Sequence, residues 1–216
     1  MTHSLHRSGT RENLENDYVI FAIAAQTVNA EGKAAIFGDF FKIVLKYNPV
    51  CYGDMRSGNV LTVGHNAISR GFRDNSIVHA VFTDKETVAG VLRELSQADL
   101  GLSIVVSGLF DHIDDCCKNA GIQQHTIEHS LGIWGNTEKL PEGEVLEIST
   151  MCGHGMIAFN LIKRMVREII AGRKTPGAAA DELAAQCHCG IVNPVRAARL
   201  LELMAQNQFE AMNAKI

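Results

Sequence analysis

Short apolar runs alternate with amphipathic helical patterns up to about Ile148, and after it the pattern is helical only. Together these features predict an α+β or α/β fold, with a sheet layer and flanking helices followed by a small C-terminal helical bundle. Composition agrees: 46% of the 216 residues are hydrophobic and 20% are charged, as in ordinary globular proteins. A chain of this length can bury about 70% of its unfolded surface without disulfide staples. The expected organisation is a loose tail over residues 1–16, an α/β domain over 17–148 and a helical bundle carrying a Cys/His site over 149–216.

Each element has its own signal. Tyr18 to Gln26 is apolar and short enough for a buried strand. Glu31 to Tyr47 places Ala34, Phe37, Phe41, Val44 and Leu45 at helical spacing, and Asn48-Pro49 ends that helix. Cys51 to Gly71 is rich in Gly and Asn and reads as loops, with a strand only at Val60 to Val63. Ile77 to Phe82 is a strand pattern, and Thr83-Asp84-Lys85-Glu86 reads as a capping box before the stripe Val88, Val91, Leu92, Leu95. Leu102 to Val106 is a further strand, and Ser107-Gly108 turns into a helix from Leu109 to Ala120. His125 to Leu131 and Val145 to Ile148 are two more strand candidates. Three helices follow: Met156 to Ala171 stopped by Gly172, one opened by Thr175-Pro176, and one opened by Asn193-Pro194.

Charge and composition narrow the function classes. Twenty Lys and Arg against 24 Asp and Glu give a net charge of -4, which disfavours nucleic acid as a partner because no basic block is available to displace counterions. No apolar run reaches the roughly 20 residues of a membrane helix. Met1 to Asn16 is polar with no signal-peptide core, so the expected location is cytoplasmic. In a reducing compartment the six cysteines and nine histidines favour metal or redox chemistry over disulfides.

The strongest constellation lies in the bundle. Cys152-Gly153-His154-Gly155-Met156 sits at the start of its first helix, and Cys187-His188-Cys189-Gly190 lies between its second and third. A thiol at a helix N-terminus has a lowered pKa, and a helical hairpin would bring the two clusters together. Three sulfurs and an imidazole complete a tetrahedral zinc set, or the ligand count of an iron–sulfur cluster.

These residues resemble the C-terminal helical domain of the [2Fe–2S] subunits of molybdenum hydroxylases. That family carries a Cys-Gly-x-Cys-Thr-Pro-Gly-Met turn and, further on, Cys-x-Cys before another helix. Cys152, Gly155 and Met156 match the second cysteine, the glycine and the methionine of the turn, while Cys187 and Cys189 match the later pair. Ser149 stands in place of the family's first cysteine and His154 in place of its proline. Ala180 to Leu201 is also similar in its pattern of small and apolar residues, whereas the family's ferredoxin-like half is absent. The resemblance implies a cluster held by Cys152, Cys187 and Cys189 with a non-cysteine fourth ligand, but not molybdenum hydroxylase activity.

Other motifs carry less. His125-Thr126-Ile127-Glu128-His129 matches the H-x-x-E-H string of inverted zinc peptidases, which needs a helix. On the expected strand the two imidazoles stand roughly 13 Å apart, at about 3.3 Å per residue. Cys116 and Cys117 fall on the stripe Ile113, Cys116, Cys117, Ala120 and read as helix core. Ser107-Gly108 could hold an anion on free amides, and Arg70 and Arg73 flank Gly71 on a solvated surface. His65 and His112 have no sequence partner.

The sequence therefore predicts a cytoplasmic metal- or iron–sulfur-binding protein, redox-linked and leaning toward an oxidoreductase or metal-dependent enzyme. Cys152, Cys187 and Cys189 would hold a [2Fe–2S] cluster or zinc, with His154 as fourth ligand. Two alternatives stand beside it. One is a cysteine-nucleophile enzyme with Cys152 as thiolate and His154 or His188 as acid/base. The other is a non-catalytic ligand-binding or assembly module. The expected partners are a small-molecule substrate or a redox partner protein, with homo-oligomerisation open.

Overall fold

The structure is a computed structural model that describes residues 7–141 and 143–214. It is α+β. Strands β1 (Tyr18–Ile23), β2 (Cys51–Asp54), β3 (Gly58–Asn59), β4 (Ile77–Phe82) and β5 (Ser103–Ser107) form one sheet in the order β3-β2-β4-β1-β5. Every neighbouring pair is antiparallel. Helix α1 (Arg11–Leu14) precedes β1, α2 (Ala34–Leu45) joins β1 to β2, α3 (Gly64–Gly71) joins β3 to β4, and α4 (Lys85–Ala98) joins β4 to β5. The parallel strands of the unit β1–α2–β2 are separated by β4, and those of β4–α4–β5 by β1. This interleaving is the split βαβ arrangement. After α5 (Phe110–Ala120) come α6 (Gly143–Thr150), α7 (Phe159–Ile170), α8 (Pro176–Ala185) and α9 (Pro194–Asn213).

Strand periodicity divides the core in two. On β1, Tyr18, Ile20 and Ala22 face one side and pack with Phe37, Phe40, Val44, Val88, Leu92, Cys116 and Cys117. Val19 and Phe21 face the other side and pack with Ile148, Met151, Ile162, Leu183 and Leu200 of the bundle. The register aligns Val19, Val81 and Cys51 in one row across the sheet, and all three are buried under the bundle. Sheet and bundle thus share a core, and what lies on the bundle face of β2 is held against the C-terminal helices.

Several expectations are corrected. The Gly- and Asn-rich stretch from Cys51 to Gly71 forms the β2–β3 hairpin and α3, while Val60 to Val63 is a turn capped by Asn59. Composition misled there because Gly53 permits a close backbone approach and Gly58 takes a φ of +114° at the hairpin. His125 to Leu131 is irregular. Val145 to Ile148 is helical, since buried Val145, Ile148 and Cys152 recur at three- and four-residue spacing. At α4 the cap is Asp84, whose Oδ1 accepts the Thr87 amide at 2.7 Å, one residue later than the expected box. The helix expected from Met156 starts at Phe159.

Residues 1–6 of the expected tail lie outside the described residues. From Arg7 onward the segment is fastened to the bundle. Asp17 is buried between the guanidinium groups of Arg7 and Arg196, the latter at 2.7 Å. Arg196 also reaches Glu147 at 3.0 Å and the Ser8 carbonyl at 2.6 Å. Asn193, which caps α9 through the Arg196 amide at 3.0 Å, donates to the Asn16 carbonyl at 2.9 Å and to Asp17 at 3.2 Å. Buried charges persist when paired and hydrogen-bonded, and sequence periodicity carries no trace of such a network.

Candidate metal centre

Two turns of the same construction build the site. In Cys152-Gly153-His154-Gly155-Met156 the Gly155 amide donates to the Cys152 carbonyl at 2.9 Å, and Gly155 has φ +67°. In Cys187-His188-Cys189-Gly190-Ile191 the Gly190 amide donates to the Cys187 carbonyl at 3.1 Å, with Gly190 at φ +75°. Glycine takes this left-handed conformation without steric cost, and the reversal leaves the next amide directed back at the cysteine. Met156 and His154 thus direct amides at the Cys152 sulfur, as Ile191 does at Cys187. Such backbone concavities favour an anion.

The first turn sits at the helix end opposite to that expected, whereas the second links α8 and α9 as expected. Cys152 follows α6, its amide bonded to the Ser149 carbonyl at 3.2 Å, and Cys187 follows α8, bonded to the Ala184 carbonyl at 3.0 Å. Because α7 begins only at Phe159, Cys152 does not start that helix. Helix C-terminal ends carry the negative pole and favour a cation beside them.

The three sulfurs meet. Cys187 Sγ lies 3.8 Å from Cys189 Sγ, and the Cys152 and Cys187 thiols are hydrogen-bonded. All are nearly inaccessible, at 2% exposure for Cys152, 0% for Cys187 and 3% for Cys189. The bond with Cys187, then burial, raises the Cys152 pKa well above the ordinary thiol value. For Cys187 the bond with Cys152 is the largest influence and lowers the pKa. The bond with Cys189 and burial outweigh it and push the thiol up to about 11.

The second turn is pressed against the β2–β3 hairpin. A Cβ on Gly190 would stand 2.6 Å from the Tyr52 carbonyl oxygen, and one on Gly53 would stand 2.7 Å from that of Cys189. Buried Asn59 donates to the Cys187 carbonyl at 2.8 Å. Arg7 bridges the two turns through the carbonyls of Ile191 and Met151. Ser149 closes the first turn by donating to the Ile157 carbonyl at 3.1 Å.

Of the residues expected in the site, Cys152, Cys187 and Cys189 are brought together, whereas the side chains of His154 and His188 are exposed. Sequence reading missed Arg7, Asn59, Gly53 and Cys51. The usable signal was the repeat itself, since both turns read Cys-x-x-Gly-apolar, 35 positions apart (187 − 152). Among the described residues, no group of three or more His, Cys, Asp or Glu side chains is arranged so that it could hold a metal ion. His125, Glu128 and His129 lie on an irregular segment that lines, with β5, an open groove of about 620 Å³ on the far side of the sheet edge. Among the described residues no helix is long and apolar enough to cross a membrane.

No protein-family model, curated protein or solved structure matches the chain.

Proposed function

We propose that this protein is a thiolate metalloprotein whose centre is built by Cys152, Cys187 and Cys189, holding zinc or a [2Fe–2S] cluster. The observation that carries the reading is the convergence of three thiols on two matching turns, with Cys187 and Cys189 at 3.8 Å. Two sulfurs on one tetrahedral metal ion, each bound at about 2.3 Å, stand about 3.8 Å apart. The donor set suits soft metals. Backbone amides aimed at the sulfurs are the hydrogen bonds that tune metal-bound thiolates. Without a cation the Cys152 and Cys187 thiols stay protonated, and the helix C-terminal ends beside them favour positive charge.

Burial narrows the role. Iron would supply one-electron transfer and zinc a crosslink between the turns; in either case the chain's own residues hold the sulfurs away from water. A nucleophilic Cys152 is the weaker reading, because such a residue needs an accessible thiol with a lowered pKa, and Cys152 is buried with its pKa raised.

Anaerobically purified full-length protein should contain stoichiometric zinc, or iron with acid-labile sulfide and visible absorption. Cys152→Ser, Cys187→Ser and Cys189→Ser should each lose most of it, while Cys116→Ser should retain it. Folded wild-type protein that is metal-free, and that takes up neither zinc nor iron on reconstitution, overturns the proposal.

A further inference from the structure

Four of the six cysteines lie on the bundle side of the sheet, and only three of them belong to the two turns. The fourth is Cys51, at the start of β2 and 0% exposed. We infer that Cys51 supplies the fourth ligand of the metal centre, so that β2 and both bundle turns are held by one tetrahedral set of four sulfurs. This inference rests on the metal-centre reading above.

The placement follows from the sheet. Cys51 is paired with Val81, and both point to the bundle face, whereas Tyr52 packs on the other side. The strand at Cys51 is therefore turned so that its thiol enters the core cluster that also holds Cys152, Cys187 and Cys189. The chain reaches the site immediately afterwards. Tyr52 and Gly53 are the residues whose backbone Gly190 and Cys189 touch, at separations a Cβ would violate. Cys51 thus lies one residue from the closest contact between the sheet and the Cys-His-Cys-Gly turn.

Ligand chemistry favours it over His154. The imidazole is on the exposed side of its turn, whereas the Cys51 sulfur is already out of water. Adding it to three thiolates makes the closed four-sulfur set of structural zinc sites, and also the count that a [2Fe–2S] cluster needs. A β2 ligand gives a reason for the two glycines at the contact, since Gly53 and Gly190 let the strand and turn approach at backbone distance.

Cobalt(II), a spectroscopic substitute for zinc, separates the outcomes. Reduced full-length protein, stripped of metal, should bind cobalt(II) with tetrahedral d–d bands and intense sulfur-to-metal charge transfer. Cys51→Ser should lower the charge-transfer intensity by about a quarter, one thiolate in four, and weaken competitive zinc binding at least tenfold. His154→Ala should match wild type. Wild-type-like spectrum and affinity in Cys51→Ser overturn the assignment of Cys51 while leaving the three-thiol centre standing. Failure of wild type to bind cobalt(II) or zinc, and to take up iron and sulfide on reconstitution, overturns both. Should Cys51→Ser not fold, alkylation of wild-type protein in mild urea decides. Zinc should protect Cys51 together with Cys152, Cys187 and Cys189 while leaving Cys116 and Cys117 unchanged. Equal labelling of Cys51 with and without zinc rejects it.

Discussion

Arg196 is a buried guanidinium that holds two carboxylates from distant parts of the chain, Asp17 and Glu147. Removing such a partner leaves charge uncompensated in a low-dielectric interior, at a cost of about 3–5 kcal/mol. Arg196→Ala should therefore lower the unfolding free energy from urea titration by an amount of that order, and a loss under about 1 kcal/mol would show that Asp17 finds sufficient charge in Arg7. Cys116 makes a different point. Its sulfur lies 3.2 Å from the Lys85 carbonyl, to which it donates, and burial raises its pKa from the ordinary 9.0 to about 11. The folded state then holds the proton more tightly than the unfolded one. Its contribution is complete below pH 9 and is lost as pH rises toward about 11. Urea titrations at pH 8 and pH 10.5 should show a smaller alkaline loss in Cys116→Ala than in wild type, and equal losses would reject the linkage. Neither arrangement was legible as such. Sequence placed Cys116 in a helical core stripe, because that needs only local periodicity. The Arg196 network joins residues 179 positions apart (196 − 17), and nothing local encodes it.

Among elements, those with a strong period or a built-in cap were readable. Helices α8 and α9 open at Thr175-Pro176 and Asn193-Pro194, where each cap side chain accepts the amide three residues on. Strands β1 and β4 were readable as apolar runs, broken only by buried His79 in β4, because both faces are covered. The β2–β3 hairpin was not, since Gly53 and Asn59 serve contact with the bundle rather than strand propensity. This contact can be tested by comparing two left-handed glycines. Gly172, at φ +67°, has open space where a Cβ would go, whereas Gly190, at φ +75°, faces Tyr52 backbone at 2.6 Å. Gly172→Ala should cost only the conformational strain, about 1–2 kcal/mol. Gly190→Ala should cost more and also reduce metal retention, because the turn must move off β2 together with Cys187 and Cys189. Similar stability and full metal content in both variants would mean that the close approach does not position the site.

At the scale of the whole molecule, the expected division at residue 148 falls inside α6; one core cluster lies wholly before it, while the other takes in both sheet and bundle. Val19, Phe21 and Val81 of the sheet are buried by residues of the bundle, including Ile148, Met151 and Leu200. The change from mixed elements to helices was legible. That the helices cover one face of the sheet was not, because an apolar stripe does not name its partner. Exposing that face would place several large side chains in water, at about 1.5–3 kcal/mol each, against a total stability of only about 5–15 kcal/mol for a typical domain. The sheet layer should therefore not survive alone. Calorimetry of the full chain should give one transition with a calorimetric to van 't Hoff enthalpy ratio of about 1. A chain ending at Leu140 should aggregate, or bind a hydrophobic dye without cooperative unfolding. The cluster of Arg7, Asp17, Glu147 and Arg196 adds a second reason, since truncation removes Glu147 and Arg196 and leaves Asp17 with Arg7 at an opened face. Two resolved transitions in the full chain, with the lower one matching loss of metal and the upper one matching the truncated chain, would instead make the bundle a separate folding unit closed by its own thiolates.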